Sequence, residues 1–189
     1  MIIVGLSFGY HDSAAVLVND GIVVAAAEEE RFSRVKHTAA FPLNAIEFCL
    51  EEGGISPNDV DAWVYYEETY LKFDRIVHSA LGKSNRKGNQ YLENTVKRWT
   101  HESLFDPQEV ILSSLGVSAE RLYNVNHHDA HAASAFYLSP FEDAAIVTMD
   151  GAGEYETTTI SFGSREGIKR QSSVQLPNSI GLFYSALTA

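Results

Sequence analysis

The sequence predicts an α/β domain, and three observations carry that expectation. An N-terminal apolar run, Ile2 to Leu6, passes through a polar turn into two further apolar runs joined by Asn19-Asp20-Gly21. Segments with the three-to-four-residue apolar spacing of helices then alternate with short strand-like runs. Near residue 150 the opening pattern returns as a strand, a glycine loop and a hairpin.

Each element has a local reason. Gly5 to Ser13 is a turn-rich loop between strands at Ile2 to Leu6 and Ala14 to Val18. Asn-Asp-Gly is a tight-turn signal, so Ile22 to Ala27 pairs back as a third strand. Glu28 to Phe41 reads as a charged link. Pro42 opens a helix with Leu43, Ile46 and Leu50 on one face, and Gly53-Gly54 stops it. Ala62 to Tyr66 is a fourth strand, residues 67–116 read as a mostly helical insertion, and Arg121 to Val125 is a further strand-like run. His127 to Leu138 is a helix of small residues ended by Ser139-Pro140. Ala144 to Met149 is a buried strand, Asp150 to Gly153 a loop, and Thr157 to Phe162 pairs with Ile168 to Val174. Ser179 is placed to cap a last helix from Ile180. This order is that of a ribonuclease-H-like unit as used in the actin, sugar-kinase and chaperone ATPase superfamily. There, two strand–turn–strand loops, here Gly5 to Ser13 and Asp150 to Thr158, approach nucleotide phosphates through backbone amides and glycines.

Composition excludes several classes. At 189 residues, 45% hydrophobic and 21% charged, the chain suits a folded domain with a real core. No apolar run approaches the roughly 18 residues of a membrane helix. The lone Cys49 precludes an internal disulfide and fits a reducing cytoplasm. A formal charge of −11 argues against a nucleic-acid partner. Seven of the 14 basic residues nevertheless fall between Lys72 and Arg98, which reads as a solvated helical face. An anion-binding strip on Lys83, Arg86 and Lys87 is the sharper alternative.

The chemistry concentrates in Asn126-His127-His128-Asp129-Ala130-His131, three histidines within five residues. On a helix, positions four apart share a face, so His127 and His131 can reach one cation; His128 and His131 form a less well aligned pair. Asp150, at a strand end before glycine, is placed to join them. Two imidazoles and a carboxylate with open positions suit Fe(II), Zn or Mn without choosing among them. Asp129 is placed to orient an imidazole. The plainer alternative leaves His128 and Asp129 facing water. His11, between Tyr10 and Asp12, suits proton abstraction from a hydroxyl, or merely caps a turn. Arg31, Arg34, Lys36 and His37 suit phosphate oxygens, or simply pair with Glu28, Glu29 and Glu30.

Five stretches taken together, GYHDSAAVLV, EEERFSRVKHTAAFP, NHHDAHAASAFYLSPF, MDGAGEYETT and LPNSIGLFYSALT, resemble the carbamoyltransferase family of nodulation and antibiotic O-carbamoyltransferases. Its N-terminal domain is similar to tRNA threonylcarbamoyl transferase. The resemblance implies metal ligands at His127, His131 and Asp150, with Fe(II) the first expectation, and a further aspartate beyond residue 189. It implies a substrate-activating His11 and nucleotide-phosphate contacts at Lys36, Gly151 and Gly153; Asp12, His128 and Asp129 are expected, on their positions, to support the site from behind. Carbamoyl phosphate cleaved in a C-terminal domain would give carbamate, which with ATP gives carbamoyl-adenylate and then a carbamoylated hydroxyl on a small acceptor. Residues 1–189 would then be the N-terminal part of the metal- and nucleotide-binding domain, inactive alone. The expected protein is cytoplasmic, with no membrane or nucleic-acid partner and a homodimer as an open option. A tRNA threonylcarbamoyl transferase-like enzyme and a non-catalytic nucleotide-binding scaffold are the alternatives.

Overall fold

The computed structural model describes residues 1–82, 86–101 and 106–188, and these form two compact units. The first comprises Met1–Tyr66 and Glu93–Asn124, the second Glu67–Leu92 and Val125–Ala189. In chain order the elements are β1 (Ile2–Ser7), β2 (Ala14–Asn19), β3 (Ile22–Glu28), α1 (Glu30–Ser33), α2 (Leu43–Gly53), β4 (Ala62–Tyr65), α3 (Thr69–Leu81), α4 (Arg86–His101), α5 (Pro107–Leu115), β5 (Leu122–Asn124), α6 (His127–Phe136), β6 (Ala144–Met149), β7 (Glu156–Ser164), β8 (Gly167–Gln175) and α7 (Ile180–Thr188).

The first unit is built on a mixed sheet in the order β3-β2-β1-β4-β5. β2 runs antiparallel to both β1 and β3, whereas β4 pairs parallel with both β1 and β5. The Asn-Asp-Gly signal is realised as a tight hairpin, with Asp20 at φ 48° and Gly21 at φ 81°, and Asn19 opposite Ile22. Alternation in β1 and β2 sends Val4, Leu6, Ala15 and Leu17 to the buried side. Helix α2 answers with Ala45, Ile46, Cys49 and Leu50. Its approach is close: a Cβ at Gly53 would stand 2.5 Å from Leu17 Cδ2. Gly54 at φ 61° ends the helix in the left-handed conformation that glycine adopts without strain. Trp63 and Tyr65 of β4 are fully buried, and the Tyr65 hydroxyl donates to the Phe8 carbonyl at 2.8 Å, tying the end of β4 to the chain just past β1. The charged link after β3 is partly helical, because Glu29 and Glu30 accept backbone bonds that close the single turn of α1.

In the second unit β6, β7 and β8 form an antiparallel sheet, with Gly167 at φ 114° in the β7–β8 turn. Helix α6 lies on it through Ala132 and Phe136, against Ile146. Gly163 makes this possible, since a Cβ there would fall within 2.7 Å of the Phe136 ring. The buried side of β7 is polar: Thr157, Thr159 and Ser161 are all shielded from solvent.

The expected helical stretch contains α3, α4 and α5, with α3 in the second unit and α5 in the first. Lys83 and the side chains of Arg86 and Lys87 lie outside the described residues. No described helix is long and apolar enough to cross a membrane.

Leu17, 1% exposed, stands between sheet and α2. Leu17→Ala is expected to lower unfolding stability by about 2–5 kcal/mol, the range for an unfilled core cavity, as read by urea denaturation.

Candidate metal centre

Helix α6 begins where Asn126, in extended conformation, accepts the His128 amide on its side chain at 3.1 Å. From that start the four-residue spacing puts His127 and His131 on one face, with ring centroids 4.5 Å apart. Strand β6 delivers Asp150 opposite them. Its Oδ1 accepts its neighbour's amide, Gly151 N, at 2.5 Å, which turns Oδ2 toward the helix. Oδ2 lies 2.7 Å from His127 Nε2 and 3.8 Å from His131 Nε2, and the two Nε2 atoms are 3.1 Å apart.

Two imidazole nitrogens at that separation, both beside a carboxylate oxygen, either share a proton or flank a cation. Metal–ligand bonds of about 2.0–2.2 Å place neighbouring ligand atoms roughly 3.0–3.4 Å apart, a range that the three observed separations bracket. The donor set therefore fits a divalent cation of the Fe(II), Zn or Mn type. His127 is 16% exposed at its side chain, Asp150 33% and His131 51%, so the cluster is buried on the His127 side and open at His131. A three-ligand site open on one side leaves coordination positions for a substrate. Facing His127 and then His131, and helped by the Gly151 amide, the Asp150 carboxyl is held well below the usual carboxylate range, against the opposing effect of burial.

His128 does not join the cluster, and it does not face water. It is fully buried, with Nε2 donating to the Glu156 carbonyl at 3.0 Å and Nδ1 2.6 Å from Thr148 Oγ1. A carbonyl can only accept, so the neutral ring carries its proton on Nε2 and takes the Thr148 hydroxyl on Nδ1. The Thr159 hydroxyl, 2.7 Å from Thr148, completes the chain. Burial pushes the His128 pKa down. Asp129, expected to orient an imidazole, instead pairs with Arg170 at 2.5 Å. Arg170 also reaches Asn126 Oδ1 and Glu156, which pins the first turn of α6 to β8.

Gly153 packs flat against the histidines: a Cβ there would be 2.9 Å from His128 Cδ2 and 3.1 Å from His127 Cδ2. Gly151 is under no such constraint: a Cβ there would first meet Leu182 Cδ2, at 3.6 Å. Glu154, which the sequence reading passed over, is 1% exposed and accepts the His127 amide. The signal was an acidic residue inside a glycine loop.

In the first unit the opening loop and the basic motif meet. Gly9 and Ser13 donate to the carbonyls of Ala39 and Thr38. Asp12, at φ 51°, sets one oxygen 2.7 Å from His11 Nδ1 and the other 2.8 Å from His37 Nδ1. His37 and then His11 draw the Asp12 carboxyl below its ordinary pKa, and Asp12 raises that of His37. Arg31 pairs with Glu28 and Glu30, as the plainer reading expected. Arg34 and Lys36 are exposed and enter no ion pair among the described residues.

The family described as Carbamoyltransferase N-terminus matches residues 2–189. The chain belongs to that family. An uncharacterized protein of Synechocystis sp. is 41% identical over 98% of this chain and 31% of its own length. The nodulation protein NolNO of Sinorhizobium fredii is 34% identical over 92% of this chain and 24% of its own. The carbamoyltransferase-family chain thus spans less than a third of the length of these relatives. YeaZ from Pseudomonas aeruginosa, a solved structure, aligns with 93% of the chain and 67% of its own at 13% identity and a TM-score of 0.47.

The buried, neutral His128 gives this domain a pH signature. The unfolded chain binds a proton at His128 near pH 6.5, whereas the folded chain does so only at lower pH. The stabilising contribution is whole above that value and is lost as pH falls through the depressed native pKa. Thermal unfolding of metal-free protein is expected to show falling stability below about pH 6.5, and His128→Gln is expected to flatten that slope.

Proposed function

We propose that the chain is the N-terminal part of an ATP-dependent carbamoyltransferase that carries the carbamoyl group from carbamoyl phosphate to a hydroxyl of a small acceptor, with a divalent metal at His127, His131 and Asp150. The observation that carries this reading is the convergence of those three side chains, with an open side, in a chain of the carbamoyltransferase N-terminus family. The sheet order β3-β2-β1-β4-β5, antiparallel in its first three strands and parallel thereafter, supports a ribonuclease-H-like unit of the ATPase superfamily.

A metal bound here would act as a Lewis acid, polarising an oxygen of the reacting groups. The chain's own residues do the rest. His127 and His131 offer Nε2, and Asp150 offers the one oxygen that Gly151 leaves free. His11 donates Nδ1–H to Asp12, which leaves Nε2 as the basic nitrogen for a substrate hydroxyl proton. Lys36, exposed next to His37, is the group assigned to nucleotide phosphate; the Gly151 and Gly153 amides, already given to Asp150 Oδ1 and the Glu156 carbonyl, hold the ligand loop instead. In the full sequence of steps, carbamate released from carbamoyl phosphate attacks ATP, pyrophosphate leaves, and the acceptor hydroxyl then displaces AMP from carbamoyl-adenylate.

The full-length protein, given ATP, carbamoyl phosphate and labelled pyrophosphate, is expected to exchange label into ATP only when carbamoyl phosphate is present. Exchange dependent on threonine and bicarbonate would replace this reading with the threonylcarbamoyl one, and no exchange would favour a nucleotide-binding scaffold. His127→Ala with His131→Ala is expected to reduce bound metal to background, measured by plasma emission after dialysis.

A further inference from the structure

We infer that Glu154 is a positioning residue of the metal centre, holding the loop that carries Asp150 against the helix that carries the two histidines. The inference rests on the reading of His127, His131 and Asp150 as metal ligands and assigns how their spacing is kept.

Glu154 is 1% exposed, and every partner of its carboxylate is a donor. Oε1 accepts the backbone amides of Glu68 at 2.8 Å and His127 at 2.9 Å. Oε2 accepts the Asn126 side-chain amide at 3.0 Å and again the His127 amide at 3.2 Å. A carboxylate is buried at large cost unless its lone pairs are used this fully. Capping alone does not explain it, because Asn126 already accepts the His128 amide as the side-chain cap of α6. What Glu154 adds is a link to a separate segment, since it lies four residues after Asp150 in a loop already closed on β7. There the Asp150 amide donates to Thr157 and the Gly153 amide to Glu156. Gly153, beside it, lets the loop come flush with the His127 and His128 rings. The carboxylate thus grips the peptide N–H of one metal ligand from the loop that presents another. A negative group at a helix N-terminus is favoured by the unpaired amides and the helix dipole, which adds to the grip.

Ligand atoms need to stay within about 0.5 Å of the productive geometry, and loss of an outer support typically lowers metal affinity about 10–100-fold. Glu154→Gln keeps the shape but turns an NH2 toward donors, the Asn126 amide and the His127 N–H. Glu154→Asp keeps the charge but withdraws it from all four contacts.

The test is cobalt(II) titration of the full-length protein, reading affinity and the visible absorption band, alongside thermal unfolding of each metal-free variant. Both Glu154 variants are expected to bind cobalt at least about tenfold more weakly than wild type, with an altered band. Leu17→Ala is expected to lower the unfolding temperature yet leave affinity and band unchanged. A Glu154 variant that unfolds at a lower temperature but binds cobalt as wild type does would overturn the positioning role and leave the metal reading intact. Wild-type protein that binds no cobalt would overturn both. If Glu154→Gln fails to fold, Glu154→Asp carries the same comparison.

Discussion

The arrangement depends on one carboxylate with its two oxygens put to different uses. Asp150 gives Oδ1 to the amide that follows it and Oδ2 to a pair of imidazoles one helical turn apart. Because the first bond is made within the loop, the direction of the second oxygen does not depend on the helix alone. The helix in turn is held from three sides. Arg170 grips its first turn from β8, the His128 ring is anchored between Thr148 and Glu156, and Phe136 settles over Gly163. A sheet with a polar buried face, unusual in a hydrophobic core, is what allows a fully buried histidine its two partners.

The first unit handles its own loop in a similar way. Glu29, 4% exposed, accepts the Asn44 side chain and the Ala45 amide, so an acidic residue just past a strand grips the start of α2. Asp12 spans His11 and His37, so two histidines far apart in sequence share one carboxylate. Each imidazole thereby has Nδ1 engaged and its tautomer set, which is how a carboxylate neighbour normally prepares a histidine for proton transfer.

Much of this was legible in the sequence because it follows from short-range rules. The Asn-Asp-Gly hairpin, the helix stopped at Gly53-Gly54 and the strand-end Asp150 each depend on residues within a few positions. So does the His127–His131 pairing, which needs only the helical repeat. The misses share a different cause. Asp129 looked available to an imidazole until Arg170, 41 residues later, came close enough to claim it. His128 could have been wet or dry, and only the turn of α6 onto a threonine-lined strand decided it. Glu154 gave no periodic signal, since its value lies in an amide 27 residues earlier. Nor does any spacing rule foretell that α3 and α5, close in sequence, belong to different units.

Helix α7 rests on the ligand loop through a residue with no side chain. A Cβ at Gly181 would fall 2.5 Å from the Asp150 carbonyl oxygen and 2.7 Å from the Gly151 nitrogen. Ser179, which caps that helix through the Leu182 amide, also directs its hydroxyl to the carbonyls of Asp150 and Gly151. The bare backbone of one element therefore leans on the peptide plane that aims the carboxylate of another. A shift of α7 at Gly181 would therefore press directly on the peptide that aims the aspartate, because no side chain stands between the two backbones there.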